Sequence, residues 1–216
     1  MPNKFTCLIF DFDGTIADTH IGIVRTFQET FRTMGFEVPS EEKITSTIGL
    51  TLKDGFLKAS GNLSDNDADR AVVEYRRKFP NIAYPLTTAF PEVIDTLEEI
   101  RRRGIRMAIA TSRSHASLND LAEQIGVKKF FECMMAAEDV AVHKPAPDLA
   151  LKTMNEMNAS PSETLVIGDA TYDLLMGKNA GCRVCGVTWG NQTRRQLETA
   201  GPDYIIDSMS ALLEII

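Results

Sequence analysis

Short apolar runs alternate with amphipathic stretches along most of this chain. Phe5–Phe10, Ile105–Ala110, Phe131–Ala136, Leu165–Gly168, Arg183–Val187 and Tyr204–Ile206 are brief and nearly continuous in apolar character. That pattern predicts strands buried on both faces, as in the core of a parallel sheet. Between them, "PEVIDTLEEIRRRG" places Val93, Ile94, Leu97 and Ile100 at helical spacing, with Pro91 at its start and Gly104 as a terminator. The segments "ASLNDLAEQIG", "PDLALKTMNEM", "YDLLMGKNAG" and "SMSALLEII" read as helices in the same way. Regular alternation of strand and helix predicts an α/β fold, a doubly wound parallel sheet with a Rossmann-like core.

One section breaks the rhythm. From Thr19 to about Tyr84 there are helical patterns and no convincing strand. Ile23, Val24, Phe27, Phe31 and Met34 form one apolar stripe, and "SDNDADRAVVEYRRKF" opens with capping residues before a second amphipathic run. The expectation is a helical insertion over 17–84, set into a core made of 1–16 and 85–216. Its hinges fall at the "GTIAD" turn and at "YPLTTAFP", where prolines and small residues disfavour continuous helix. No internal repeat or low-complexity segment interrupts this plan.

Composition narrows the class. A chain of 216 residues with 44% hydrophobic content can bury one core plus a smaller module. The formal net charge of −7, with no block of Lys and Arg, argues against nucleic acid or a membrane surface as partner. A small anionic substrate held by local cations is compatible with it. No stretch is long enough to span a bilayer, and the opening apolar run ends after Phe10 in charged residues, so a cytoplasmic location is expected. Cys7, Cys133, Cys182 and Cys185 include one Cys-x-x-Cys pair without a second pair or histidine set, which supports neither a zinc site nor a disulfide framework.

The chemistry concentrates at predicted strand ends. In "FTCLIFDFDGTIADTH", Asp11 and Asp13 lie hard against an apolar run, where an uncompensated carboxylate is costly. Asp11 falls where the first strand should end, the place at which open α/β sheets bind ligands. Alternation along extended backbone lets Asp11 and Asp13 face the same way across Phe12, and Gly14 allows a sharp departure. Asp169 directly follows "LVIG", and Asp173 lies one helical turn further on. Up to four converging carboxylates call for a hard divalent cation, and Mg²⁺ suits oxygen ligands better than zinc does. After "MAIA", Thr111 and Ser112 can donate hydroxyl hydrogen bonds to an anion, and Lys144 in "HKPAPD" adds a point charge. A carboxylate nucleophile, a second acid, a metal, a hydroxyl and a lysine are the parts of phosphoryl transfer through an aspartyl-phosphate.

In order and spacing, "DFDGT", the strand-end Thr111, "HKPAPD" and "GDATYD" resemble the four motifs of the haloacid dehalogenase-like hydrolase superfamily, over the whole chain. "TIGLTLKD", "VCGVTWGNQTRRQLETAGPDYIIDS" and the helical insertion, a cap in that superfamily, look most like the phosphoglycolate phosphatase subgroup, whose members include pyrophosphatases. The resemblance implies that Asp11 is nucleophile and metal ligand, and that Asp13 is general acid/base and a ligand through its backbone carbonyl. It implies further that Asp169 is the remaining protein ligand, that Thr111 and Lys144 hold the transferring phosphoryl group, and that Asp173 orients Lys144 or a metal-bound water. The implied partner is a small phosphorylated metabolite.

Competing readings are separated by single positions. A dehalogenase needs no acid two residues after the nucleophile, so Asp13 favours a phosphatase or phosphomutase. In the β-phosphoglucomutases, which share the cap class, a cap histidine would align with Ile23 and a cap arginine with roughly Leu52; both departures weaken the mutase reading. A signalling receiver module also uses an Asp, Mg²⁺, a hydroxyl and a Lys, but this chain is too long for one, and Asp13 would hasten loss of its phosphoryl group. His115 reads as a helix-start residue or a substrate contact, Arg113 as a solvated loop residue or one leaning toward a substrate carboxylate, and Lys53 as a surface lysine or a leaving-group contact. "RRRGIR" reads as a solvated helix end.

Overall fold

A computed structural model describes residues 4–216. The apolar runs form six parallel strands: β1 (Cys7–Phe10), β4 (Arg106–Ala110), β5 (Cys133–Met135), β6 (Thr164–Gly168), β7 (Arg183–Val187) and β8 (Tyr204–Ile206). β2 (Ala17–Asp18) and β3 (Thr88–Ala89) form a separate two-stranded ribbon. The large sheet has the order β5-β4-β1-β6-β7-β8, with every pairing parallel. After β1 the chain fills one side and then crosses to fill the other, so the strand order reverses beside β1. A crevice opens at the carboxyl ends of strands at such a switch point.

Alternation along each strand sends side chains to both faces. Leu8 and Phe10, with Met107, Ile109, Leu165, Ile167 and Val187, belong to one buried cluster, while Cys7 and Ile9, with Ala108, Ala110, Val166 and Val184, belong to the other. α5 (Val93–Arg102) and α6 (His115–Gln124) cover the first face through Val93, Leu97, Ile100, Leu118 and Leu121. α7 (Asp148–Glu156), α8 (Thr171–Asn179) and α9 (Arg194–Glu198) cover the second through Leu149, Met154, Leu174 and Leu197.

Four helices are inserted between β2 and β3: α1 (His20–Met34), α2 (Glu41–Thr45), α3 (Leu52–Ser60) and α4 (Asp65–Ile82). Ser40, Thr51 and Ser64 cap the last three, each accepting a backbone N–H three residues on. The apolar stripe of α1 meets α3 and α4 in an aromatic cluster, with Phe27 stacked on Phe56 at 4.3 Å between centroids and Tyr75 edge-on to Phe27 at 5.2 Å. The ribbon pairs Ala17 with Ala89 and Asp18 with Thr88, so the two expected hinges are hydrogen-bonded to each other.

One departure from the sequence pattern lies near the end of the chain. "SMSALLEII" forms a short 3₁₀ segment, Ser210–Glu214, instead of an α-helix. Met209 and Leu212 are its buried anchors, so the apolar spacing is real, but the run is too brief to repay helix nucleation. Phe56 is fully buried at the centre of the inserted helices. Phe56→Ala is expected to destabilise the protein by about 3–5 kcal/mol, measured as the shift of a urea unfolding curve.

Candidate active site

Three adjacent strands, β4, β1 and β6, deliver the candidate residues to one edge, because Thr111, Asp11 and Asp169 each directly follow their strand. Asp11 is nearly fully buried and anchored by its own N–H, which donates to Ile167 O at 2.8 Å. Lys144 reaches the same place from the loop before α7. Its Nζ donates to Asp11 Oδ1 and to Asp173 Oδ1, each at 2.6 Å, and its side chain has no exposure. Asp173 Oδ2 accepts the N–H of Ala170 at 3.1 Å, so both its oxygens are engaged at the start of α8.

Carboxylate oxygens of Asp11, Asp169 and Asp173 lie within 4.8 Å of one another, and all three residues are buried. Burial and the neighbouring carboxylates Asp173, Asp169 and Asp13 push the Asp11 carboxyl well above its usual range, against the pull of Lys144. Burial and Asp173 raise Asp169 to about 7, opposed by hydrogen bonds from Asn191. For Lys144, burial disfavours the ammonium, but Asp11 and Asp173 outweigh it and hold the charge.

The loop after β7 completes the enclosure and went unrecognised in the sequence as part of the site. Asn191 donates its backbone N–H (2.7 Å) and its side-chain Nδ2 (2.8 Å) to Asp169 Oδ2. Gly14 sits at φ +82°, and a Cβ there would stand 2.2 Å from that same oxygen, so only glycine admits the close approach. Thr19 is a second omission; its hydroxyl donates to Asp13 Oδ1 at 2.6 Å. No spacing rule could have found Asn191, which lies 22 residues from its partner.

Asp11, Asp13, Thr111, Ser112 and Arg113 line a cavity of about 790 Å³ between these strand ends and the inserted helices. Thr111 is buried, and its Oγ1 accepts the N–H of Arg113 at 3.3 Å. Ser112 spends its hydroxyl on the carbonyl of Gly49, in the loop before α3, at 2.7 Å. The expected convergence of four carboxylates stops at three: Asp13 stands outside the Asp11, Asp169 and Asp173 cluster and pairs with Arg113, so the solvated-loop reading of that arginine does not hold either. His115 is the first residue of α6 and its ring pairs with Asp139 at 2.7 Å. Lys53 lines the cavity but is tied to Asp69 at 2.8 Å.

Residues 8–187 match the family model described as haloacid dehalogenase-like hydrolase. The chain belongs to that family. It is 35% identical over 209 residues to a protein named "Probable phosphatase IndB" from Dickeya dadantii, covering 95% of this chain and 91% of that one. It is 31% identical to the pyrophosphatase PpaX of Oceanobacillus iheyensis, over 97% of this chain and 95% of the relative. The crystal structure of a haloacid dehalogenase-like hydrolase from Bacteroides fragilis superposes with a TM-score of 0.92 at 30% identity, over 97% of this chain and all of that one.

Within this family the donor set fits Mg²⁺. It is all oxygen, buried and mutually repelling, and Asp173 is already committed to Lys144 and Ala170. Asp11 and Asp169, with the backbone carbonyl of Asp13, would hold the ion. Asn191→Ala is expected to weaken Mg²⁺ binding by about 10- to 100-fold, because it removes one of the two hydrogen bonds that orient the Asp169 carboxylate. The midpoint of a Mg²⁺ titration followed by thermal unfolding measures this without any turnover.

Proposed function

We propose that this protein is a Mg²⁺-dependent phosphatase that hydrolyses a small phosphate monoester, phosphoglycolate-like in size, through an aspartyl-phosphate on Asp11. One observation carries the reading: a buried carboxylate at the end of the central strand, clamped by a buried lysine, forms part of the wall of a cavity of about 790 Å³. Bound Mg²⁺ would supply Lewis-acid neutralisation of the transferring group's charge.

This chain's residues supply the remaining steps. An oxygen of Asp11 attacks phosphorus in line, the bond from phosphorus to the leaving oxygen breaks, and Asp13 delivers a proton to that oxygen. Asp13 then takes a proton from the water that attacks the aspartyl-phosphate, which releases phosphate and restores Asp11. Lys144 favours the ionised form of Asp11 against the effect of burial, and with Thr111 it would hold the transferring oxygens. Residues 17–84 would act as a cap that excludes water and shapes the leaving-group space. The partner is a small phosphorylated metabolite.

The relatives named pyrophosphatase favour pyrophosphate as a second substrate reading. A mutase is disfavoured, since Ile23 and Leu52 both line the cavity and present apolar side chains where that subgroup would place histidine and arginine.

Asp11→Asn should abolish phosphate release, and Asp13→Asn should slow it by roughly 10² to 10⁴. A panel of phosphoglycolate, pyrophosphate, sugar phosphates and nucleotides, with Mg²⁺ and with chelator, is expected to show metal-dependent release that favours the small compounds. Interconversion of glucose 1-phosphate and glucose 6-phosphate without comparable release would overturn the phosphatase reading.

A further inference from the structure

Asp13 cannot serve a leaving group as it stands, because both its carboxylate oxygens are occupied. Oδ1 accepts from Thr19 Oγ1 at 2.6 Å and from Arg113 Nη2 at 2.5 Å, and Oδ2 accepts from Arg113 Nε at 3.0 Å. Arg113 is equally confined. Its side chain keeps 8% exposure, its guanidinium lies 4.8 Å from the ring centroid of Phe79 on α4, and Nη1 donates to Ser117 Oγ at 2.6 Å. Asp13, Arg113, Phe79 and Ser117 all line the cavity that must hold the leaving group.

Asp13 therefore reaches a leaving oxygen only by giving up Arg113. A guanidinium this buried is not left without an anion, since removing one member of a buried charge pair is strongly unfavourable. The replacement anion has to come from the substrate. We propose that Arg113 is the receptor for a negative group on the leaving group, exchanging Asp13 for a substrate carboxylate or phosphate and releasing Asp13 toward the leaving oxygen. The inference rests on the phosphatase reading and deepens it. It names the substrate class as phosphate compounds whose leaving group carries its own negative charge close to the bond that breaks.

The other cations around the cavity support the assignment. Lys144 is sequestered between Asp11 and Asp173, and Lys53 between Asp69 at 2.8 Å and Asp65 at 3.9 Å. Arg113 alone among them holds the residue that the reaction must set free. Its planar fork matches a carboxylate or phosphate edge through two parallel bonds, which an ammonium cannot do. Arg76 also lines the cavity, three residues before Phe79 and so on the same face of α4, and it has no carboxylate partner among the described residues. It adds positive charge to the wall that an anionic leaving group would meet.

The test compares kcat/KM for phosphoglycolate, pyrophosphate and ethyl phosphate with Mg²⁺. Ethyl phosphate has a methyl group where phosphoglycolate has its carboxylate. The better of the two anionic-leaving-group compounds should exceed ethyl phosphate by roughly 10- to 100-fold, the range for a hydrogen bond to a charged group. Arg113→Gln should collapse that ratio toward one, and Arg113→Lys should restore part of it. A ratio unchanged by Arg113→Gln, in a variant that still unfolds cooperatively, would overturn the inference. So would a wild-type protein that turns over ethyl phosphate as efficiently as both others, a result that stands even if the glutamine variant does not fold. Phosphate release without this ranking removes the inference alone, whereas no release from any of the three, or from p-nitrophenyl phosphate, removes the phosphatase reading with it.

Discussion

The buried contact of the Lys144 ammonium with Asp11 and Asp173 governs the rest of this structure. Three carboxylates packed within 4.8 Å and one ammonium leave two formal negative charges uncompensated in a site shielded from water. Burial of that kind costs several kcal/mol per uncompensated ion, so the arrangement persists only with further partners. Ala170 and Asn191 supply backbone hydrogen bonds, and the remaining imbalance favours a divalent cation. An anionic phosphoryl group approaching Asp11 would meet repulsion without that ion. The electrostatics within the fold thus support the proposed metal dependence.

The sheet makes this concentration of charge possible. β1 lies at the centre of six parallel strands, flanked by β4 and β6, and all three end at the same edge. Apolar packing on both faces fixes their register, so side chains separated by more than a hundred residues arrive with little freedom. The insertion closes the opposite wall with polar contacts that include Ser112 to Gly49, Lys58 to Tyr172 at 3.0 Å, and Tyr84 to Asp120 at 3.0 Å. The candidate reacting groups come from strand ends, and the shape of the remaining space comes largely from the helices. Arg113 joins the two, held by Asp13 on one side and Phe79 on the other.

Several elements were legible because local rules decide them. Strand β7 over Arg183–Val187 and strand β8 over Tyr204–Ile206 match the apolar runs residue for residue. The run beginning at Phe5 was overextended, since Phe5 is buried as a side chain before the ladder starts at Cys7. The ends of the insertion were readable from Pro and small residues, but their pairing into a ribbon was not, because β2 and β3 are two residues each and carry no periodicity. Helices α2 and α3 were folded into one undivided insertion, though Ser40 and Thr51 both stand as caps.

Local pattern alone specifies the six strands of the large sheet, their alternation with helices, and the acids and hydroxyls at strand ends with the lysine of the loop before α7. Periodicity and turn chemistry act over a few residues, and a few residues suffice to carry them. Only the tertiary structure decided which partner each group holds. It turned Asp13 toward Arg113 and Thr19, committed Asp173 to Lys144, gave Ser112 to Gly49 and brought Asn191 onto Asp169. Those choices depend on distances set by sheet order and by the packing of the inserted helices against it. No local pattern records them, because each pairs groups that meet only once the whole core has formed.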